Sequence, residues 1–334
     1  MMVRSYGDMA QYLFLRNRSV DLNDTLDTLT QEISTGISSN LPEKLGGDLG
    51  FVTDLERSIA KMDSYQVAAQ ETALFASTAQ TFIGRINDNA QSIGTDILAL
   101  TAGTNDTTTQ SLADQSRVYL ESAISNLNGQ LSGRSLFAGT DTAAVPLESA
   151  DTMMAALQVE VSGLTDPDDI VAAVEDWFND PTGFDVVMYN GSTSDVAPVR
   201  IGTAEEVSIS LRADDDRFKD AMMGFALGAL AGDETLGLTP GEAGDLLDRA
   251  GVRIVAAQTS LTEVQADLGF IEHRIEETQT RNAAALTSMS VTLNDLILAD
   301  TAESASRLEE VQFQLEALYT ITARSSQLNL LNYM

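Results

Sequence analysis

The segment DTAESASRLEEVQFQLEALYTITARSSQLNLLNYM (300–334) contains neither glycine nor proline and carries apolar residues at helical spacing. Repeats of three and four residues predict one long helix with an apolar stripe. The stripe consists of Leu308, Val311, Leu315, Leu318, Ile321, Leu328 and Leu331. Phe313, Tyr319 and Leu330 lie off this stripe, so apolar side chains cover more than one face of the helix. Such a helix needs partners that cover it.

The opposite end of the chain, 1–36, predicts a matching helix that ends near Gly36. Its stripe consists of Tyr12, Leu15, Leu22, Leu26, Leu29 and Ile33, with an interruption at Ser19 and with Leu13 and Phe14 beside it. The two stripes could pair in a closed bundle. We favour a second interpretation, in which 1–36 and 300–334 are assembly helices that fold together when subunits polymerise. A loop at 37–50 and a predicted linker at 290–300 separate them from the rest.

Between these ends, the sequence predicts a rod in two parts, 37–140 and 216–299. A helix over 51–102 has a seam of alternating three- and four-residue steps. The seam consists of Ala76, Ala79, Ile83, Ile86, Ala90, Ile93, Ile97 and Leu100. Further helices are predicted over 110–131 and 217–231, and 247–289 repeats apolar residues in heptads, which is typical of a coiled coil. The predicted fold is mainly α: an elongated antiparallel helical rod.

The segment 141–215 has a different composition, with four of the six prolines. Runs at 184–189, 196–201 and 207–211 predict short strands, and 190–195 predicts a turn. A helix is expected around 168–177. We interpret 141–215 as a small inserted α/β domain that faces outward.

Composition excludes several classes of function. The chain has 50 acidic and 19 basic residues, a net charge of -31, which opposes binding to nucleic acids and to anionic membranes. It has no cysteine, so it forms neither disulfides nor thiolate metal sites. No apolar run reaches transmembrane length, and 1–18 lacks the pattern of a cleaved signal peptide.

No residue pattern indicates catalysis or a cofactor. His273, the only histidine, could in principle serve a metal or an acid–base reaction, but its heptad position favours a solvated surface residue. The aspartate groups 166–169 and 214–216 lack the spacing of a calcium loop, which favours helix capping. There is no nucleotide-binding or nucleophile motif. We therefore expect a protein that is not an enzyme and has no metal or cofactor.

Three stretches resemble the bacterial flagellin superfamily: LTQEISTGISSN (29–40), NLNGQLSGRSLFAGT (126–140) and LEALYTITARSSQLNLLNYM (315–334). The middle stretch is similar to the Gly-Arg-Tyr-Leu-Phe-Ala-Gly turn of the hook-associated members, with Ser135 in place of the commoner tyrosine. The matching motif residues are Gly133, Arg134, Leu136, Phe137 and Gly139. The glycines permit backbone conformations that other residues resist, the apolar pair can anchor the turn, and the arginine can pair with a carboxylate.

The resemblance implies a flagellin-like structural adaptor that joins the hook to the flagellin filament. Its implied partners are other copies of itself in a ring, the first hook-associated protein, flagellin, and an export chaperone on the C-terminal helix. Its implied location is extracellular, at the hook–filament junction, after export without a cleaved signal peptide. Two alternatives stay open: a filament flagellin, and a secreted coiled-coil adhesin or effector that binds its ligand through 141–215.

Overall fold

The computed structural model describes the backbone of residues 3–100 and 106–331, and side-chain surroundings for 9–100 and 107–324. Helices dominate this part of the chain, as predicted, and only two short antiparallel ladders accompany them. The described residues fall into two units. One lies within 1–63 and 284–334, and the other lies within 64–283.

The terminal helices begin and end where the sequence has breakers. Helix α1 spans Val3–Thr35, and Gly36 ends it with a φ of 71°, a conformation that glycine adopts without cost. Helix α10 spans Thr301–Leu331, and the Asp300 carboxylate caps it by accepting hydrogen bonds from the amides of Ala302 and Glu303. The predicted loop at 37–50 contains one extra helical turn, α2 (Leu41–Lys44).

Two long helices form the scaffold, α3 (Gly50–Leu98) and α9 (Pro240–Ile297). They run antiparallel in the second unit, because Gln80 Nε2 donates to the carbonyl of Gln265 at 3.3 Å while Gly251 lies against Ile97. The predicted seam of α3 is buried from Ala76 to Ile97. The predicted linker at 290–300 is wrong over most of its length, because α9 continues to Ile297 and only 298–300 leave the helix.

Helices α4 (Asp106–Leu127) and α8 (Asp216–Leu230) pack closely in the second unit. A Cβ at Gly228 would lie 2.5 Å from Ser116 Oγ, so the helices approach at a position that only glycine permits. The prediction that α4 reaches residue 131 is wrong. Its last helical residue is Leu127, and Leu131 belongs to strand β1 (Gln130–Leu131), which pairs with β2 (Arg134–Ser135).

The segment 141–215 is more helical than the sequence predicts. It contains α5 (Ala150–Glu160), α6 (Pro167–Asn179), α7 (Phe184–Val187), β3 (Val199–Arg200) and β4 (Glu206–Val207). The helix expected at 168–177 is confirmed as α6. The strand expected at 184–189 is wrong, because Phe184 and Met188, four residues apart, are both fully buried on one helical face.

The segment 141–215 contributes to the main apolar core of the second unit. Met153, Leu157, Val174 and Phe178 belong to the same cluster as buried residues of α3, α4, α8 and α9. Because 141–215 shares this core, its packing does not mark it as a separate domain, and the domain boundaries at 141 and 215 stay predictions. Among the described residues, no helix combines the length and apolar character that crossing a bilayer requires.

Candidate assembly site

The two terminal helices pack against each other through one apolar cluster in the first unit. Its buried members are Leu22, Leu29, Val311, Leu315 and Leu318, and Leu15, Leu26 and Leu308 pack against them. The helices run antiparallel, because Arg18 Nη2 donates to Gln314 Oε1 at 3.1 Å and Ser304 Oγ donates to Glu32 Oε2 at 3.1 Å. Burial of each leucine contributes roughly 1.5–3 kcal/mol. These stripe residues are thus paired within a single chain, as in the closed bundle that we did not favour from the sequence.

Of the remaining predicted assembly residues, one lies outside this cluster and two have side chains that the structure does not describe. Ile33 is outside the cluster and 37% exposed, so it is available to another chain. Leu328 and Leu331 belong to α10, but their side chains lie outside the described residues.

The paired helices leave a second set of apolar side chains in solvent. Phe14 and Phe313 are 69% and 71% exposed. The other exposed members are Met9, Tyr12, Leu13, Val20, Tyr319 and Ile321. Helix pairing therefore uses only part of each predicted stripe, and Tyr12 and Ile321 of the stripes stay exposed together with the aromatic and aliphatic residues beside them. An exposed apolar surface flanked by polar residues is typical of a protein–protein contact.

The segment that follows α1 and the segment that precedes α10 are hydrogen-bonded to each other. The Ser38 amide donates to the carbonyl of Ile297 at 2.8 Å, and the Ala299 amide donates to the carbonyl of Gly36 at 2.9 Å. Lys44 Nζ adds a bond of 2.6 Å to the carbonyl of Leu298. These bonds hold the start of α10 beside the end of α1. Both breaks are visible in the sequence but this bridge is not, because backbone pairing between distant segments leaves no composition signal.

The motif at 133–139 begins as a tight hairpin at the end of α4. Ser132 and Gly133 connect β1 to β2 with φ values of 52° and 78°. Positive φ at both central residues is the geometry of a type I′ turn, whose twist matches that of paired strands. Arg134 follows on the exposed side, and it forms no ion pair with any carboxylate of the described chain. The carboxylate partner considered for Arg134 is therefore absent from the described part of this chain.

The second half of the motif is a buried plug. Leu136 and Phe137 are buried, and the Phe137 ring packs edge-on against Phe218 of α8 with centroids 5.8 Å apart. The Phe137 carbonyl accepts a hydrogen bond of 2.9 Å from the amide of Ala213. Gly139 has a φ of 61° and lies against the backbone of 192–194. The motif thus attaches the end of α4 to the start of α8 and to a loop of 141–215.

The residues considered for chemistry have structural partners instead. Asp166 and Asp215 cap α6 and α8 by accepting hydrogen bonds from the amides two residues later. Asp168 pairs with Arg249. His273 is largely exposed, 3.5 Å from Glu277. No cluster of histidine or acidic residues suited to a metal ion occurs among the described residues.

The two ends of the chain each match a known protein family. The profile of the bacterial flagellin N-terminal helical region matches residues 9–142, and that of the bacterial flagellin C-terminal helical region matches residues 253–334. No curated protein sequence matches the chain. A solved structure, described as a candidate flagellar hook-associated protein from Vibrio parahaemolyticus, is similar with a TM-score of 0.52 and 13% identity. The match covers 75% of this chain and 99% of that one, and at this identity it shows the fold alone.

Proposed function

The chain belongs to the flagellin family and is a structural protein of the bacterial flagellum, and we propose that it forms the junction between hook and filament. Members of this structural, non-enzymatic family assemble into flagellar polymers outside the cell. The observation that carries the finer proposal is the turn at 133–139, which has the sequence pattern of hook-associated members. Its hairpin and plug give each motif residue except Arg134 a local structural role.

The proposed mechanism is mechanical and requires no reaction. In each subunit the paired α1 and α10 present exposed apolar residues, including Phe14 and Phe313, to neighbouring subunits. Burial of such side chains against other copies stabilises a ring by the hydrophobic effect, at roughly 25 cal/mol per Å² of apolar surface. One end of that ring then contacts the first hook-associated protein, and the other end contacts flagellin.

We propose two kinds of partner besides the first hook-associated protein and flagellin: an export chaperone and other copies of the chain. An export chaperone binds α10 before assembly, because the exposed apolar residues of this helix must be covered while the subunit is a monomer. Copies of the chain contact one another around the ring. The high negative charge keeps unassembled subunits apart in solution.

The test deletes the gene in its native host, images the cell surface, and assays the medium for flagellin. The proposal predicts bare hooks together with soluble flagellin in the medium, because filaments have no adaptor on which to start. Bare hooks without flagellin in the medium would identify the chain as the filament subunit. Normal filaments, after any second gene copy has also been deleted, would contradict both flagellar functions.

A further inference from the structure

A groove of about 330 Å³ lies beside the motif hairpin in the second unit. One wall belongs to α3, the second to the hairpin, and the third to the segment around β3 and β4. The apolar lining side chains are Leu74, Phe75, Leu131, Leu136, Val196, Val199, Val207 and Ile209. Leu74 is 54% exposed, so the groove opens to solvent at α3. The groove has the size and the lining for one aromatic side chain of another molecule.

Two polar residues of the hairpin line this groove without a partner in the described chain. Ser135 is 2% exposed, and its Oγ has no hydrogen-bond partner. Arg134 is exposed and forms no ion pair with the described carboxylates. A free guanidinium is a site for a carboxylate, so Arg134 indicates a surface that a second molecule completes.

The same unit carries an apolar side chain that matches the groove. Phe270 of α9 is 63% exposed and does not line the groove. Ala69 of α3 shares a small core cluster with Ile275, and Gln80 contacts Gln265, so Phe270 lies level with the α3 wall of the groove. Asp267, one helical turn before Phe270, has a side chain that is 75% exposed, and its carboxylate lies 3.7 Å from Arg217 of the same chain, a long and solvent-exposed ion pair that leaves it accessible to a second cation.

We propose that the groove of one copy receives Phe270 of a second copy, with Arg134 of the first facing Asp267 of the second. The inference rests on the proposed function, because it names a contact within the assembled ring. Groove and Phe270 are different surfaces of one chain, so the contact is heterologous and repeats from copy to copy, closing into a ring or continuing as a helix. Arg134 lines the groove together with Glu71, and its positive charge offsets part of the repulsion that a net charge of -31 imposes on self-association.

The absence of native cysteine allows a direct test. In the native host, with its own gene deleted, two single variants are produced together: Leu74→Cys at the groove and Phe270→Cys on α9. Sheared flagella are oxidised mildly and the disulfide-linked dimer is followed by immunoblot. The control pair is Leu74→Cys with Val252→Cys, because Val252 lies on the same helix and is also 63% exposed.

The proposal predicts that the Leu74–Phe270 pair crosslinks about tenfold faster than the control pair, or faster still, because the contact raises the effective thiol concentration. Adding Arg134→Glu to the groove variant should slow that reaction, and adding Asp267→Arg to the other variant should restore it. Equal rates for both pairs in flagella that contain the subunit would overturn this contact and leave the proposed function standing. Absence of the wild-type chain from flagella would overturn both.

Discussion

Gly133 and Gly139 occupy the two ends of one motif, and both have positive φ, yet their surroundings differ. A Cβ at Gly139 would lie 2.4 Å from the carbonyl oxygen of Ser192 and 2.6 Å from that of Ser194. A Cβ at Gly133 would have no atom within 4 Å. Backbone atoms cannot move aside as flexible side chains do, so the two positions tolerate substitution differently.

We predict that Gly139→Ala destabilises the chain by roughly 2–5 kcal/mol, from left-handed backbone strain together with overpacking. The matched variant Gly133→Ala should lose only about 1–2 kcal/mol, because it has the strain without the clash. Urea unfolding of both variants measures the difference. Equal losses would mean that the backbone of 192–194 does not constrain Gly139.

The sequence identifies these two glycines but does not distinguish them. The atoms that constrain Gly139 belong to a loop more than fifty residues later, and no local pattern reports that distance. The same reason explains why the groove at Ser135 is not visible in the sequence. Its walls come from three segments that only the fold brings together.

Among the elements, α10 has two apolar faces with different neighbours. Leu315 is buried against α1, whereas Phe313 is 71% exposed. We predict that Leu315→Asp or Leu26→Asp disrupts the helix pair and blocks incorporation, because burying a carboxylate without a partner costs several kcal/mol. Phe313→Asp should block incorporation while the pair persists. Amide exchange at residues 26 and 315 and the amount of each variant in sheared flagella provide the two readouts.

Normal incorporation of Phe313→Asp would show that the exposed face of α10 is not an assembly surface. Undiminished amide protection in Leu315→Asp would show that the cluster between α1 and α10 does not hold the pair together.

The start of α8 depends on a carboxylate whose charge varies with pH. Burial raises the pKa of Asp215, but hydrogen bonds from the Arg217 side chain and amide outweigh it and lower that pKa below its ordinary 3.8. A lowered pKa in the folded state stabilises the fold above pH 3.8, and the benefit disappears as pH falls through the lower folded value. Asp215→Ala should therefore cost about 1 kcal/mol near neutral pH.

Urea unfolding of wild type and Asp215→Ala across a series of pH values measures this contribution. The difference in unfolding free energy between the two proteins should decrease as the pH falls below 3.8. A free-energy difference that stays constant at lower pH would mean that the capping is independent of the carboxylate's charge.

Element prediction succeeded where periodicity was long and failed where it was short. The seam of α3 and the heptads of α9 extend over many turns, so helix and buried face are both specified. The run at 184–189 is too short to distinguish a strand from one helical turn. There, packing of Phe184 against Trp177 and Phe178 of α6 accompanies the helical conformation. Similarly, the predicted linker at 290–300 failed over 290–297, which contains no glycine or proline to end α9.

The segment 141–215 contributes more to the stability of the second unit than an outward-facing insertion would contribute. An outward domain could be deleted without loss of the rod. In the structure, Val174 and Phe178 share the core of the second unit, and Asp168 and Glu175 form ion pairs with Arg249 and Arg253 of α9.

We predict that deletion of 141–215 removes the cooperative unfolding of the second unit, because it exposes apolar surface of α4 and α8. Thermal unfolding and limited proteolysis test this expectation. A cooperative, protease-resistant product would show that the segment is a separate domain. The single variant Val186→Ala, at a 70% exposed position within the segment, is the neutral control.

The proposed junction role specifies where the assembled chain lies on the flagellum. Val186→Cys, exposed in α7, introduces a single cysteine into a chain that has none, so maleimide label that is absent from a control strain with the wild-type chain marks this subunit. Light and electron microscopy of labelled cells then give its position. We predict one focus per flagellum at the boundary between hook and filament. Label along the whole filament would contradict the junction and identify a filament subunit instead.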